Sequence, residues 1–124
     1  MAYILVGVAG ALGAILRYAI GVALFVDSVF PYATLSINLI GSYVLAWLTT
    51  RLFTKVYWSS HIKTAIGTGF VGSFTTFSTL SVETVNLFEN GDILLGGIYV
   101  FVSIIGGLVM SRLGFDVGSV EVRK

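Results

Sequence analysis

Long runs of apolar residues occupy most of the chain and are separated by short polar connections. Four such runs can be delimited, at residues 3–25, 33–50, 62–88 and 93–113. Each is close to the ~20 residues that an α-helix needs to cross the hydrocarbon layer of a bilayer. Because the connections are short, neighbouring helices are expected to run antiparallel. The pattern therefore predicts an all-α integral membrane protein, with residues 1–124 forming one domain of four transmembrane helices.

The third run differs from the other three in its polar content. Residues 67–84 read GTGFVGSFTTFSTLSVET, a dense series of glycines, serines and threonines inside an apolar stretch. This composition favours an interruption of the helix at residues 72–76. Irregular backbone at membrane depth is tolerated only where protein or a water-filled cavity satisfies it. Because the free carbonyl and N–H groups of a broken helix are used by membrane proteins to bind ions, the third run indicates an ion pathway.

The composition agrees with a membrane protein and excludes several other classes. Of the residues, 56% are hydrophobic and 10% are charged, and the mean hydropathy is +0.98. Soluble domains carry about 25% charged residues. The chain has no cysteine and a net charge of +1, which excludes thiolate metal sites and gives no basic patch for nucleic acid. The sequence also lacks a catalytic triad, a carboxylate pair and a phosphate-binding loop, so an enzyme is not expected.

The basic residues predict the orientation of the helices. With four crossings, both termini and the second connection lie on the same side of the membrane. Of the Lys and Arg residues only Arg17 lies outside that side, which holds Arg51, Lys55, Lys63, Arg112, Arg123 and Lys124. An excess of Lys and Arg marks the cytoplasmic side. Cytoplasmic termini are therefore expected.

Two polar residues within the first two runs are candidates for contact with an ion. Arg17 lies in the first run, where a charge is costly and usually marks function. It either lines an anion vestibule or extends its side chain to the membrane interface. Asn38 lies early in the second run, and its buried amide needs hydrogen-bond partners. It either donates to a permeating anion or joins two helices, and the polar third run favours the first role.

Polar and small residues repeat on one face of the fourth predicted helix. Tyr99, Ser103, Gly107 and Ser111 are spaced by four residues, which places them in line. Uncharged donors in a line suit an anion that must be held and then released, but the spacing is equally compatible with contacts that join helices. Glu83, after the polar segment, is compatible with an exit-side position or with a plain interfacial charge.

The polar segment of the third run also resembles a known family. The sequence GFVGSFTTFST at residues 69–79, continued by SVE at residues 81–83, is similar to the central motif of the Fluc (CrcB) family of small fluoride channels. NLIG at residues 38–41 and LRY at residues 16–18 match the second and first helices of that family. The resemblance implies a fluoride-selective channel that exports fluoride from the cytoplasm across the plasma membrane and thereby relieves fluoride toxicity.

The resemblance further implies how such a channel is built. Members of the family are four-helix subunits that pair antiparallel, with two fluoride pores along the dimer and a structural sodium ion at its axis. Here the backbone carbonyl groups of Gly72 and Thr75 would bind sodium, and Arg17 would lie in the vestibule. The fluoride pathway would comprise Asn38, Phe77, Ser78, Thr79, Leu80, Tyr99, Ser103, Gly107 and Ser111.

Two positions depart from the pattern of the family. Leu80 stands where a second aromatic residue is usual, and leucine lacks the positively polarised ring edge that Phe77 can present to an anion. Gly107 stands where a hydroxyl group is expected. Each departure should weaken a pore that uses the residue.

Two other functions and two kinds of dimer remain open. A small four-helix multidrug exporter has similar hydropathy but needs a carboxylate in its first helix, where this chain has Arg17 and no acid. A non-conducting subunit of a heteromeric channel is the other function. An antiparallel dimer would contain either two copies of this chain or this chain and a homologous subunit of opposite orientation. The uneven distribution of Lys and Arg favours the second, because it fixes one topology.

Overall fold

The structure, a computed structural model, describes residues 2–24 and 30–123, which form helices joined by short connections. We number the helices α1 to α5 in chain order. Two of them contain a π-helical segment, in which the backbone winds more widely than in an α-helix. α1 is Ala2–Leu24; α2 is Tyr32–Lys55, with the π-helical segment Leu48–Leu52; α3 is residues 60–74, with the π-helical segment Ala65–Val71; α4 is Phe77–Glu89; and α5 is Ile93–Arg123.

The described helices lie along the four predicted runs, apart from Thr75 and Thr76 in the third run, and two of them continue well past the predicted ends. α2 continues to Lys55 rather than ending at Thr50, and α5 continues to Arg123 rather than ending at Leu113. The apolar pattern marks where the apolar surface ends, whereas a helix ends where its backbone hydrogen bonds end. Phe25, the predicted end of the first run, lies outside the described residues.

Three helices in the described part of the chain are long and apolar enough to cross a membrane. They are Ala2–Ala23, Tyr32–Lys55 and Ile93–Ser119. α3 and α4 are each shorter than the ~20 residues that a crossing requires. The described helices are thus those of a multi-pass membrane protein.

Glycines bring the helices together in two close pairs, α1 with α3 and α2 with α5. A Cβ atom on Gly13 would overlap the Phe70 carbonyl group, and one on Gly114 would overlap the Tyr43 carbonyl group. Small residues at such contacts let helix backbones approach in a bilayer, where lipid removes the hydrophobic drive for helix association. These pairs fix the position of α3 relative to the rest of the bundle.

Few side chains are buried within the subunit. The buried apolar residues are Ile37, Leu48, Ala65, Val71, Phe74, Leu87 and Tyr99. Large apolar side chains such as Phe77 and Phe101 are 80% and 64% exposed, respectively. Such a surface suits lipid or a partner subunit rather than water.

The turn between α4 and α5 is fixed by backbone hydrogen bonds. Gly91 adopts a positive φ of 85°, which favours glycine. The Asp92 N–H donates to the Leu87 carbonyl at 2.8 Å, and the Gly91 N–H donates to the Phe88 carbonyl at 3.2 Å. This pair of bonds is the Schellman motif of helix ends, and it sets the position from which α5 returns across the bundle.

Candidate functional site

The helical backbone is interrupted at Thr75 and Thr76, between α3 and α4. Both residues are extended, with φ −80° and ψ 157° at Thr75 and φ −152° and ψ 122° at Thr76. Gly72 is helical, with φ −62° and ψ −35°. The interruption is therefore narrower than the predicted range of residues 72–76, because glycine permits a departure from the helix but does not force one.

Threonine side chains finish the helix on each side of the interruption. At the end of α3, the Val71 carbonyl accepts from the Thr75 N–H at 3.0 Å and from Thr75 Oγ1 at 3.1 Å. At the start of α4, Thr76 Oγ1 accepts from the Thr79 N–H at 3.1 Å. A threonine that accepts a hydrogen bond in this position is a helix N-cap. The hydroxyl groups of Thr75 and Thr76 therefore stabilise the end of α3 and the start of α4.

Asn38 on α2 bonds to both backbone groups of Thr76. Its Oδ1 accepts from the Thr76 N–H at 2.8 Å, and its Nδ2 donates to the Thr76 carbonyl at 3.0 Å. The side-chain amide thus supplies the hydrogen bonds that a backbone peptide group would otherwise make with Thr76, and it joins α2 to the interruption. The helix-joining role considered for Asn38 is present, and it uses one of the two amide hydrogens.

The carbonyl groups of Gly72 and Thr75 lack the hydrogen-bond partners that a continuous α-helix would give them. In an α-helix each carbonyl accepts from the N–H four residues later. The Thr76 N–H bonds to Asn38 instead of the Gly72 carbonyl, and the Thr79 N–H bonds to the Thr76 side chain instead of the Thr75 carbonyl. The carbonyls of Gly72 and Thr75, the two proposed sodium ligands of the sequence analysis, are therefore among those released at the interruption.

An open cleft of about 250 Å³ lies beside the interruption. It brings together three residues of the predicted fluoride pathway, Asn38, Phe77 and Leu80, with the interruption itself. The Phe77 ring is 80% exposed, so the subunit itself leaves it largely uncovered. The residues that line the cleft are Asn38, Gly41, Ser42, Leu45, Val71, Gly72, Thr75, Thr76, Phe77 and Leu80.

The remaining predicted residues of α4 and α5 lie outside this lining. Ser78 is exposed and Thr79 is half-buried, with its Oγ1 accepting from Thr76 Oγ1 at 3.2 Å. A Cβ atom on Gly107 would lie 3.9 Å from Ser42 Oγ, so Gly107 approaches the edge of the cleft. Ser111 is half-buried farther along α5.

Two hydroxyl groups on α5 are buried without a hydrogen-bond partner among the described residues. They are Tyr99 Oη and Ser103 Oγ. Tyr99 is 0% exposed, and its ring lies edge-on to that of Phe30, with the ring centroids 5.5 Å apart. An unpaired buried polar group costs about 1–3 kcal/mol. A ligand that accepted a hydrogen bond from either hydroxyl would therefore recover part of this free energy.

A contact that was not anticipated from the sequence lies beside Tyr99. Thr34 Oγ1 on α2 donates to Glu83 Oε1 on α4, and Tyr99 lies near both side chains. Glu83 therefore takes part in an internal contact between helices. Thr34 precedes Asn38 by four residues on α2, and this spacing, which places both on one face of the helix, is the signal that could have identified it.

Arg17 stands apart from these groups. It is half-buried on α1, forms no ion pair with any described residue and is absent from the lining of the cleft. The two positions considered for it, an anion vestibule and the membrane interface, are both compatible with this environment.

Comparison with known proteins finds relatives over nearly the whole chain. Residues 4–115 match the family model described as CrcB-like protein, Camphor Resistance (CrcB). The fluoride-specific ion channel FluC 1 of Desulfitobacterium hafniense (strain Y51) is 64% identical over 112 residues, which cover 90% of this chain and 97% of that protein.

More distant relatives carry the same description. FluC 1 of Bacillus cereus (strain ATCC 10987 / NRS 248), also described as a fluoride-specific ion channel, is 49% identical over 124 residues, covering 98% of this chain and 90% of that protein. The fluoride-specific ion channel FluC 2 of Geobacillus kaustophilus (strain HTA426) is 44% identical over 123 residues, covering 98% of this chain and 95% of that protein. With the family motif and the helical architecture both present, the chain belongs to the CrcB family.

Proposed function

We propose that the protein is a fluoride-selective ion channel, not an enzyme, that exports fluoride from the cytoplasm and relieves fluoride toxicity. The observation that carries the proposal is the pair of buried hydroxyls of Tyr99 and Ser103, which have no hydrogen-bond partner in the described part of the chain, in a protein whose relatives are described as fluoride-specific ion channels. Fluoride is small and strongly hydrated, so a narrow pathway must replace its water by other hydrogen-bond donors. Neutral hydroxyls supply such donors without holding the anion too tightly.

The pathway that we propose follows the cleft and the interior face of α5. α3 and α4 form one membrane span that is broken at Thr75 and Thr76, which gives four crossings of the plasma membrane. Phe77 presents its ring edge, and Asn38 its remaining amide hydrogen, to fluoride in the cleft. The hydroxyls of α5 then follow, and Arg17 attracts anions at the vestibule.

The carbonyl groups of Gly72 and Thr75 fit a structural sodium ion. Both lack their helical partners, as described above, and no cluster of three or more His, Cys, Asp or Glu side chains lies in the described part of the chain. A cation there would be bound by neutral backbone oxygens. Bound sodium would compensate carbonyl dipoles that irregular backbone leaves unpaired inside a membrane protein.

The cleft and the exposed Phe77 ring support an antiparallel dimer, in which a second subunit covers the cleft and completes the sodium site. Because Lys and Arg concentrate on the side of the termini, we propose a subunit with cytoplasmic termini and a homologous partner of opposite orientation. Leu80 lines the cleft where the family has an aromatic residue. A heteromeric pair would tolerate this change in one pore while the other pore conducts.

The function can be tested in a bacterial strain that lacks its own fluoride channel. Expression of the protein, with its homologous partner where one is encoded, is expected to restore growth at fluoride concentrations that stop the parent strain and to lower intracellular fluoride. Phe77→Ile, produced to the same level in the membrane, is the matched control and should not restore growth. Continued sensitivity with verified insertion of both subunits would contradict the proposal.

The orientation can be tested separately, because the chain has no cysteine of its own. Ser60→Cys and Asn90→Cys place single thiols at exposed positions, at the first residue of α3 and just after α4. A membrane-impermeant thiol reagent applied to intact cells is expected to label the second variant alone. Equal labelling of both, together with robust fluoride flux from the protein alone, would show a self-sufficient dimer that inserts both ways.

A further inference from the structure

We propose that Gly41 is a positioning residue for the interruption: the space left by its absent side chain receives the Thr75 methyl group and holds Thr75 extended. The inference rests on the proposed function, since the conformation of Thr75 affects transport only if the protein is a channel. It concerns a residue that has no side-chain donor to offer to the ion.

The contact between Gly41 and Thr75 leaves no room for a larger residue on α2. Gly41 is buried, and a Cβ atom added to it would overlap Thr75 Cγ2. The same atom would lie 3.6 Å from Phe74 Cδ1, an ordinary contact. The Thr75 methyl group is therefore the one neighbour that would have to move.

Movement of the Thr75 side chain away from Gly41 would break a hydrogen bond or shift the backbone. Its Oγ1 donates to the Val71 carbonyl at 3.1 Å, which fixes the rotation about the Cα–Cβ bond. Threonine is branched at Cβ and has few alternative rotamers. Relief of the overlap therefore requires breaking this hydrogen bond or shifting the extended backbone.

Gly41 and Asn38 act on consecutive residues of the interruption from one face of α2. They are three residues apart on a helix and so lie on neighbouring turns. Asn38 binds the backbone of Thr76 by two hydrogen bonds, and the Thr75 methyl group packs against the Gly41 Cα, where a side chain would otherwise lie. Together they keep α3 and α4 from joining into a continuous helix, which would pair the Gly72 carbonyl again.

The contact differs from those of Gly13 and Gly114, which bring the two helix pairs together. A Cβ atom on Gly13 or Gly114 would overlap a carbonyl group within a neighbouring helix, which is the usual contact of packed helices. Gly41 instead meets the side chain of a residue outside helical geometry. Its absent side chain therefore bears on the conformation of the interruption as well as on the distance between helices.

The test is a set of variants of the dimeric channel reconstituted in liposomes. Gly41→Ala is expected to lower the fluoride efflux rate roughly tenfold or more, which corresponds to an overpacking cost of about 1.4 kcal/mol. Adding Thr75→Ser, which removes the methyl group and keeps the hydroxyl, should return the rate to that of the Thr75→Ser single variant. Adding Thr75→Val, which keeps a branched side chain, should not. Gly7→Ala, whose added atom meets nothing within 4 Å, is the control.

A second measurement does not depend on transport. The melting temperature of the detergent-purified dimer is compared in sodium chloride and in potassium chloride. The wild-type protein should be more stable in sodium, Gly41→Ala should lose that difference, and the Gly41→Ala/Thr75→Ser variant should regain it. If Gly41→Ala fails to fold, recovery of folded protein by Thr75→Ser but not by Thr75→Val supports the inference.

The outcomes separate this inference from the proposed function. Wild-type protein without fluoride flux would refute the function. Wild-type flux with equal flux and an equal sodium effect in Gly41→Ala would refute the positioning role alone. The same defect in the Thr75→Ser and Thr75→Val double variants would also refute it, because the methyl group would not be the cause.

Discussion

At the interruption, the amide of Asn38 and the backbone of Thr76 bond to each other, whereas on α5 the hydroxyl groups of Tyr99 and Ser103 are buried without a partner among residues 2–24 and 30–123. The two regions lie in the same bundle and contain similar neutral polar groups. A buried polar group that bonds to protein serves the fold, and one left unpaired costs about 1–3 kcal/mol. If the proposed pathway is correct, the comparison distinguishes residues that stabilise the interruption from residues whose hydroxyl groups can donate a hydrogen bond to fluoride.

The largest effect is expected at the paired region, for Asn38→Asp. The carboxylate cannot donate to the Thr76 carbonyl and places a negative charge where an anion must pass. Since like charges in a desolvated site cost several kcal/mol, fluoride efflux should fall by about a hundredfold or more. Asn86→Asp, at an exposed position of α4 outside the cleft, is the control. Normal efflux by a correctly inserted Asn38→Asp variant would remove Asn38 from the pathway.

A smaller but still severe loss is expected for Phe77→Ile. The substitution removes the ring edge and keeps an apolar side chain. Because the ring is 80% exposed in the subunit, the free energy of unfolding of the subunit should change by no more than about 0.5 kcal/mol. Fluoride efflux should fall about tenfold or more, while Phe101→Ile, 64% exposed on α5, should conduct normally. A conducting Phe77→Ile channel would show that the ring does not face fluoride.

Removal of the two α5 hydroxyls should lower fluoride efflux without lowering the stability of the protein. Tyr99→Phe and Ser103→Ala each remove a hydroxyl that bonds to no described residue, so stability should stay equal or rise while fluoride efflux falls several-fold. Thr34→Val is the contrasting variant. It leaves Glu83 without its bond and should lower the free energy of unfolding by about 1–3 kcal/mol. Destabilisation by Tyr99→Phe or Ser103→Ala equal to that of Thr34→Val would show that the α5 hydroxyls serve the fold.

The smallest effect, a gain, is expected for Leu80→Phe. An aromatic ring in the cleft would supply the ring edge that leucine lacks. Efflux through a pore that uses this residue should rise a few-fold. Val82→Phe, at a 59% exposed position outside the lining, should leave efflux unchanged. An equal response of the two variants would mean that Leu80 does not limit conduction.

The helices were predictable because each is specified by its own residues. Apolar runs of sufficient length predicted the helices, and the glycine-, serine- and threonine-rich composition of the third run predicted non-helical backbone within residues 72–76, the range that includes Thr75 and Thr76. The family was recognised from the same short motif and is confirmed by the relatives. The roles assigned to Asn38, Phe77 and the residues of α5 stay predictions.

Contacts between distant parts of the chain were not predictable in the same way. The bond from Thr34 to Glu83 and the fit of Thr75 against Gly41 depend on which helices are neighbours and on how each is rotated. A single sequence does not specify that rotation, since each helix is apolar on several sides. The continuation of α5 to Arg123 beyond the predicted span has a related reason, because part of its last turns packs on α2. There a Cβ atom on Gly118 would overlap Thr50.

The most direct test of fluoride selectivity is the efflux of two halides from the same liposomes. Vesicles loaded with potassium fluoride and potassium chloride are reconstituted with the protein, alone and with its homologous partner, and potassium ionophore starts the efflux, which is followed by fluoride and chloride electrodes. We predict rapid loss of fluoride with chloride retained in at least one of the two preparations. Equal loss of both halides, or retention of both by each preparation with verified insertion, would contradict the proposal that this is a fluoride-selective channel.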